Sequence, residues 1–163
     1  MAVTTNRNYL QPTGFRMVID HQYFANSEYF AQSITHPGAS VAPVEVPTSR
    51  INRIPLAGDK INYGEFTADI ILDEDMKAYQ EIQDWLERIV NEGHVPVATK
   101  EKQATASDIT LIIQSSHNNK NVTIKYKDCV PTNLGSIQLS SNVADVTFTT
   151  FNVSFRFSEF EIS

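Results

Sequence analysis

The stretch from Cys129 to Leu139, which reads CVPTNLGSIQL, decides how the second half of the chain is organised. It holds a proline and a glycine four residues apart, and residues of these types mark turns, so we predict that the chain turns from Pro131 to Gly135. A short extended piece, 137–139, follows the turn. Beyond it, the segment 145–160 is rich in aromatic and β-branched residues, which predicts one long C-terminal strand.

The apolar residues of this last strand change parity along its length. Phe151, Val153 and Phe155 fall on one face of a two-residue repeat, whereas Phe148 falls on the other. A change of face within one strand requires an extra residue or a bend. We therefore predict a bulge or bend near 149–150.

Apolar residues upstream recur with two different periods. A two-residue period predicts strands. His117 to Lys120 carries turn residues, which predicts that the strands on either side of it, 108–114 and 122–126, form a hairpin. A period near 3.6 predicts a helix from Met76 to Val90, with Asp73 as its N-cap, Glu74 and Asp75 in its first turn and Gly93 at its end. The sum is a mainly β fold, a β-sandwich or barrel with one flanking α-helix. The predicted strands are 14–20, 28–35, 65–72, 108–114 and 122–126.

The segment 36–62 has an unusual composition. It contains four prolines and two glycines, which argues against a central strand, yet valine, isoleucine and leucine recur through it. A loop of this length is normally functional or disordered. We interpret the segment as an extended arm or edge hairpin that needs a surface to pack on.

Composition limits the possible classes of protein. The chain has 163 residues, enough for one domain with a substantial core, and we treat 1–163 as one domain with a flexible arm at 1–12. The net charge is −6, and the segment 73–92 accounts for −5 of it, with seven acidic and two basic residues. The basic surface expected of a tight nucleic-acid binder is therefore absent from the composition. No apolar run approaches a membrane span, and one cysteine excludes an intrachain disulfide.

Residues that could perform chemistry do not form recognisable motifs. The histidines lack metal-ligand spacing, Cys129 has no reactive motif around it, and the glycine and lysine of AGDK at 57–60 lack phosphate-loop spacing. We predict no catalytic, cofactor or metal site, and hence no enzyme. The histidines are His21, His36, His94 and His117.

Several motifs together resemble the tail tube proteins of contractile-tailed, T-even-type bacteriophages. They are Ala57-Gly58-Asp59, the strand that ends at Leu72, the acidic helix with Asp84-Trp85, the piece PTNLG at 131–135, and the terminal strand. The resemblance runs from about Ile51 to the C-terminus.

This resemblance implies a structural virion protein. Six copies would form a ring, and rings would stack into the inner tail tube that conducts DNA into the host. The implied partners are other copies of the chain, the tail sheath protein, the baseplate tube initiator, the tail terminator, the tape measure protein and, transiently, DNA in the lumen. Assembly would take place in the host cytoplasm, without a membrane.

Three sets of residues are predicted to serve such an assembly. The arm would contact the adjacent ring through Val44, Val46, Arg50, Ile51, Arg53 and Ile54. One polar strand face would line the lumen through Glu65, Thr67 and Asp69. The helix would pack on the sheet through Tyr79, Ile82, Trp85 and Ile89. Two alternatives remain open from the sequence: a ring protein like that of type VI secretion, and a β-sandwich carbohydrate-binding or adhesin module.

Overall fold

A computed structural model describes residues 10, 12–19, 31–47, 54–92, 106–117, 119–141 and 148–163. These residues form strands and one α-helix, numbered here in chain order. The strands are β1 Phe15–Val18, β2 Ala31–Thr35, β3 Ala39–Val41, β4 Val44–Val46, β5 Ile54–Leu56, β6 Ile61–Tyr63, β7 Phe66–Ile71, β8 Ser107–Gln114, β9 Lys120–Leu134, β10 Thr150–Arg156 and β11 Glu159–Ile162, and the helix is α1 Lys77–Glu92.

The longest strand, β9, belongs to two sheets. Its first part pairs with β8 on one edge and with β11 on the other, and its last part pairs with β10. The strand order is β1-β8-β9-β10-β7-β2, with every pair antiparallel. Asp128, at the transition, has a φ of 53°, a left-handed backbone conformation that redirects the strand. The inner faces of both sheets and one side of α1 share one apolar core, so the predicted mainly β fold with a flanking helix is confirmed.

The alternation predicted from the sequence is present in the core strands. In β7, Phe66, Ala68 and Ile70 are buried while the residues between them are half-buried on the other side. Met17 and Ile19 follow the same rule near β1, and so do Ile109 and Leu111 in β8. Residues 28–30 of the predicted second strand lie outside the described residues.

The predicted turn from Pro131 to Gly135 is wrong. Pro131 to Leu134 form the end of β9, paired with β10. Proline fits there because Pro131 stands opposite Phe155, next to a register shift between Ser154 and Phe155, where the ladder is already irregular. Gly135 then donates its N–H to the carbonyl of Asn152 at 2.7 Å.

The predicted long C-terminal strand is divided. β10 begins at Thr150 and ends at Arg156, β11 begins at Glu159, and both follow the same edge of β9. The bulge predicted near 149–150 is therefore misplaced, since the register shifts between Ser154 and Phe155 instead. The break falls opposite Asp128, where Ser158 donates its hydroxyl to the Asp128 carboxylate at 2.9 Å.

The start of the helix also differs from the prediction. α1 begins at Lys77, so Glu74 and Asp75 lie in the preceding turn and not in the first helical turn. Met76 precedes the helix with a φ of 55°. Asp73 nevertheless caps it from a distance, because its carboxylate accepts the N–H groups of Lys77 at 3.1 Å and Ala78 at 3.3 Å.

Candidate assembly surfaces

The outward side of β2, β7, β10 and the end of β9 is polar, and we call it the polar face. Asp69 lies at its centre, opposite Ser33 on one neighbouring strand and Asn152 on the other. Asn152 donates an amide N–H to one Asp69 carboxylate oxygen at 2.8 Å, and the Ser33 hydroxyl donates to the other. The charge of Asp69 is therefore held within a hydrogen-bonded row across three strands.

The next row across the same strands is uncharged. Thr35, Thr67 and Ser154 stand opposite one another, and Asn133 of β9 completes the row beside Ser154. Thr132 donates its hydroxyl to the Ser154 carbonyl at 3.2 Å. Apart from Ser154, which is buried, these hydroxyl and amide side chains offer hydrogen bonds to water without adding charge.

The third predicted lumen residue, Glu65, lies at the end of the sheet where β7 begins. It is exposed, and its carboxylate is 3.6 Å from Nε of Arg156. The two charges offset each other, so the polar face carries one net negative charge from Glu65, Asp69 and Arg156 together. The sequence contained a signal for this partner: the polar residues Asn152, Ser154 and Arg156 alternate with apolar residues in β10, as Thr67 and Asp69 do in β7, although Ser154 is itself buried.

The predicted arm is a hairpin, here residues 39–63, that extends the β2–β7 pair. β3 pairs with β6, and the pairing Ala39–Tyr63 and Val41–Ile61 continues the register of Thr35–Thr67. β4 pairs with β5 beyond a register change. The strands approach so closely there that a Cβ at Gly58 would lie 2.1 Å from the carbonyl oxygen of Ala42, which explains the glycine of the AGD motif.

The hairpin exposes apolar side chains. Val41, Val44, Leu56 and Ile61 are each about half exposed or more, whereas Val46 is half-buried. Such side chains on a two-stranded ribbon have little of their own chain to cover them. Ile54 pairs with Val46 in the ladder, and the other predicted inter-ring residues, Arg50, Ile51 and Arg53, lie outside the described residues.

An aromatic cluster anchors the root of the hairpin. The Tyr63 ring centroid lies 5.5 Å from that of Phe157 and 5.4 Å from that of Phe160. On the other side of the root, between β2 and β3, His36 meets Phe160 edge-on at 5.1 Å, and its Nδ1 lies 2.6 Å from the hydroxyl of Tyr126. Sequence reasoning missed this cluster, because each of these contacts joins residues ninety or more positions apart.

The helix presents one face to the core and one to solvent. Ile82 and Trp85 are fully buried, and Tyr79 and Ile89 are partly buried against the core. Trp85 contacts Phe155 with ring centroids 5.9 Å apart, and Tyr79 meets Phe151 edge-on at 5.3 Å. The opposite face, with Gln83, Asp84 and Glu87, is exposed and acidic.

A ladder of opposite charges covers the other sheet. Lys127 on β9 lies 2.8 Å from Glu159 and 2.5 Å from Glu161 on β11, and Lys125 lies 2.8 Å from Asp108 on β8. The hydrogen bond to Glu159, and then that to Glu161, raise the pKa of Lys127 above its ordinary range. Because each lysine already has carboxylate partners, this surface has no excess of positive charge for a nucleic acid.

Groups suited to catalysis are sparse in the described residues. No cluster of three or more His, Cys, Asp or Glu side chains there could hold a metal ion. Cys129 is buried, and burial raises the pKa of its thiol to about 12. A thiol that stays protonated at neutral pH is a poor nucleophile. None of the described helical structure has the length and apolar character that crossing a membrane requires.

Comparison with known structures matches this architecture to chains of contractile injection systems and to an Hcp protein. The fold is similar to a chain of the PVC sheath-tube complex of an extracellular contractile injection system, with a TM-score of 0.68 and 12% identity over 99% of each chain. A chain of the anti-feeding prophage tube-terminating cap gives 0.68 and 11% identity, covering 99% of this chain and 95% of that chain. A crystal structure of an Hcp protein gives 0.54 and 11% identity over 90% of each. A comparison with curated protein sequences gives no match.

These likenesses show a fold shared with chains of contractile injection systems. Within that class, a model of the phage tail tube protein family matches residues 7–163, and the chain belongs to this family. The resemblance inferred from the sequence is confirmed. The protein is a structural component of the phage tail tube and hence of the virion, and the Hcp protein is similar to it in fold.

Proposed function

We propose that six copies of this protein close into a ring whose polar face lines the channel, and that such rings stack into the tube through which DNA leaves the virion. The observation that carries the proposal is the pair of free edges bordering the polar face. In the described part of the chain, no strand pairs with the second edge of β2, and residues 130–134 of β9 pair with β10 alone.

The two free edges fit each other. β9, β10, β7 and β2 alternate in direction, so β2 and the end of β9 run antiparallel, and each offers five residues. A neighbouring copy could therefore continue the sheet, which would satisfy backbone groups that an isolated edge leaves open. Repeating this step in one plane closes a ring.

The chemistry of the polar face suits a channel for DNA. One net negative charge for each copy, in a field of hydroxyl and amide groups, disfavours the binding of phosphate, and Arg156 on this face lies beside the carboxylate of Glu65. On the outside, the acidic face of α1 would meet the tail sheath protein. The tube initiator, tail terminator and tape measure protein would contact the ends and interior of the finished tube, and assembly would take place in the host cytoplasm. The role is structural, without enzymatic activity.

Electron microscopy of the purified full chain tests the proposal. We expect rings of six and, at high concentration, tubes with a continuous channel. A sharp monomer boundary in sedimentation velocity at every concentration would overturn it.

A substitution in β2 tests ring closure itself. The β2–β7 register skips Gln32, which is exposed and lies at an irregular position of the ladder. Gln32→Pro removes a backbone donor and should reduce ring formation, whereas Gln32→Ala keeps the donor and should not. Equal ring formation by both variants, with equal thermal stability, would contradict closure through β2.

A further inference from the structure

The two free edges of the polar face each carry a β-bulge, an extra residue in one strand of a pair. On β9, Asn133 stands opposite Ser154 and Pro131 stands opposite Phe155. Thr132 between them is therefore an extra residue with no residue opposite it on β10. Bulges are frequent at sheet edges, where they change the direction of the strand and end its regular pairing.

The opposite edge carries a matching bulge. On β2, Ala31 stands opposite Ile70 and Ser33 stands opposite Asp69, so Gln32 is the extra residue of that strand. Each of the two strands that border the polar face thus contains one extra residue, and each bulge lies within the segment that a neighbouring copy would meet.

The bulges give the two edges the same order of side chains. In each edge, two consecutive polar residues are exposed between two residues that are buried or partly buried. These sets are Ala31, Gln32, Ser33 and Ile34 on β2, and Pro131, Thr132, Asn133 and Leu134 on β9. A regular strand changes face at every residue. Two edges with the same interruption can keep both of their faces aligned, whereas a bulged edge and a regular one cannot.

The backbone groups of β9 that point to the free edge follow from the hydrogen bonding. The Gly135 N–H donates to the Asn152 carbonyl, and bonded and non-bonded pairs alternate along an antiparallel ladder. Leu134, the next residue, therefore directs its N–H and carbonyl away from β10. Past the bulge, Pro131 stands opposite Phe155, whose backbone groups face β7 by the same alternation, so the Pro131 carbonyl also points outward.

On β2 the same rule selects Ala31 and Ile34. The Leu72 N–H donates to the Thr149 carbonyl, and the alternation that continues from this pair directs the β7 residues opposite Ala31 and Ile34 toward β10. The N–H and carbonyl groups of Ala31 and Ile34 therefore point to the free edge. The outward-facing residues are three positions apart on each edge, at 31 and 34 on β2 and at 131 and 134 on β9.

We infer that neighbouring copies in the ring close in one register, in which Ala31 stands opposite Leu134 of the next copy and Ile34 stands opposite its Pro131. The N–H groups of Leu134, Ala31 and Ile34 donate between the copies, and Pro131 contributes a carbonyl alone because proline has no N–H. No other antiparallel register of these described segments brings both pairs together and sets the bulges side by side. A slip of one residue would place polar side chains against core-facing ones.

This inference rests on the ring proposed above and adds the residues that meet. Disulfide formation in assembled protein tests it. Ser33 stands opposite Thr132 of the next copy, so Ser33→Cys/Thr132→Cys should oxidise to a ladder of linked chains that ends at the closed ring. Thr35→Cys/Thr132→Cys is the matched control, because its cysteines would meet only after a slip of two residues and should stay reduced.

Links within one chain do not compete with this reaction. The two cysteines of each variant lie on the outer strands of the four-stranded polar face, roughly 14 Å apart, which is beyond the reach of a disulfide. The natural Cys129 is buried. Linked chains therefore report contacts between copies.

Paired deletions supply a second test. Removing Thr132 makes the edge of β9 regular and leaves its outward-facing residues out of step with those of β2, so ring formation should fall. Removing Gln32 should have the same effect from the other side. Removing both residues makes both edges regular and should restore rings, which a purely structural role of either residue does not predict. Thermal unfolding of the unassembled chains identifies any variant that does not fold.

Failure of the register and failure of the proposed function give different results. Rings from the cysteine variants without the link between Ser33→Cys and Thr132→Cys, or equal linking in the control, would leave the ring in place and overturn the register. Single deletions that form rings as well as the natural protein would also overturn it, and so would a double deletion that folds and forms none. Natural protein that forms no rings would overturn both.

Discussion

Nδ1 of His36 lies 2.6 Å from the hydroxyl of Tyr126, which ties the root of the hairpin to the core. The Tyr126 ring is fully buried, and burial raises the pKa of its hydroxyl well above the ordinary value, so the phenol keeps its proton. Burial also lowers the pKa of His36, which favours its neutral ring. The hairpin thus leaves the body of the subunit from a fixed point.

The first prediction concerns pH. The ordinary pKa of His36 is 6.5, and its value in the folded chain is lower, so the unfolded chain binds more protons as pH falls past 6.5. The contribution of His36 to stability is therefore complete above pH 6.5 and declines below it. We expect urea midpoints of the unassembled chain to fall more between pH 7.5 and pH 5 for the natural protein than for His36→Gln. Equal slopes would show that His36 does not titrate differently on folding.

The second prediction concerns the hydrogen bond itself. Tyr126→Phe keeps the buried ring and removes the hydroxyl, which should cost about 0.5–1.5 kcal/mol of unfolding free energy. If the lost energy comes from the bond to His36, a double-mutant cycle with His36→Gln should show that most of the Tyr126→Phe cost disappears once His36 is absent. If the two substitutions have additive effects in chemical denaturation, the cost of Tyr126→Phe does not come from the bond to His36.

The sequence predicts the features that depend on neighbouring residues, and it does not predict those that depend on pairing between distant strands. The two-residue alternation of β7 and the stripe of α1 depend on neighbouring positions, so both were correct. The PTNLG piece has a local turn composition, yet pairing with β10 holds it in β9, and that pairing cannot be detected in a window of a few residues. The helix also begins later than the sequence predicts. Met76 has a left-handed φ, and no local rule favours methionine in that conformation.

The assembly surfaces show the same difference between local patterns and long-range pairing. Parity alone grouped Glu65, Thr67 and Asp69 on one side of a strand, and the register then showed which neighbours complete that side. The ion pair of Glu65 with Arg156 depends on residues more than ninety positions apart. Opposite charges on adjacent strands can be read only when the strands that pair are known.

The third prediction concerns the helix contact with the core. Trp85 is fully buried against Phe155, so Trp85→Ala should lower the unfolding free energy by roughly 3–5 kcal/mol, through lost burial and the cavity left behind. Gln83→Ala on the exposed face of the same helix is the control and should change it by less than about 0.5 kcal/mol. A loss below about 1 kcal/mol for Trp85→Ala in urea denaturation would be inconsistent with a buried ring.

The fourth prediction concerns the glycine of the PTNLG motif. A Cβ at Gly135 would lie 2.9 Å from the carbonyl oxygen and 3.0 Å from the nitrogen of Asn152, and both are backbone atoms that cannot move aside cheaply. Gly135→Ala should therefore cost roughly 1–3 kcal/mol in thermal or urea unfolding. Gly38→Ala, where nothing lies within 4 Å of the new Cβ, is the matched control and should have little effect. If the two variants were equally stable, the close approach to the Asn152 backbone would not explain the glycine at position 135.

The last prediction concerns the side of the tube on which the polar face lies. Thr67 and Gln83 lie on the polar face and on the outer side of α1, respectively, and each is replaced by cysteine in a separate variant. In assembled tubes, a small maleimide should label both, whereas a maleimide coupled to a globular protein should label Gln83→Cys and leave Thr67→Cys unmodified, because the channel excludes it. Unassembled chains should react with the large reagent at Gln83→Cys, and also at Thr67→Cys to the extent that half-burial allows. Rapid labelling of Thr67→Cys by the large reagent in intact tubes would place the polar face on the exterior and refute its assignment to the channel.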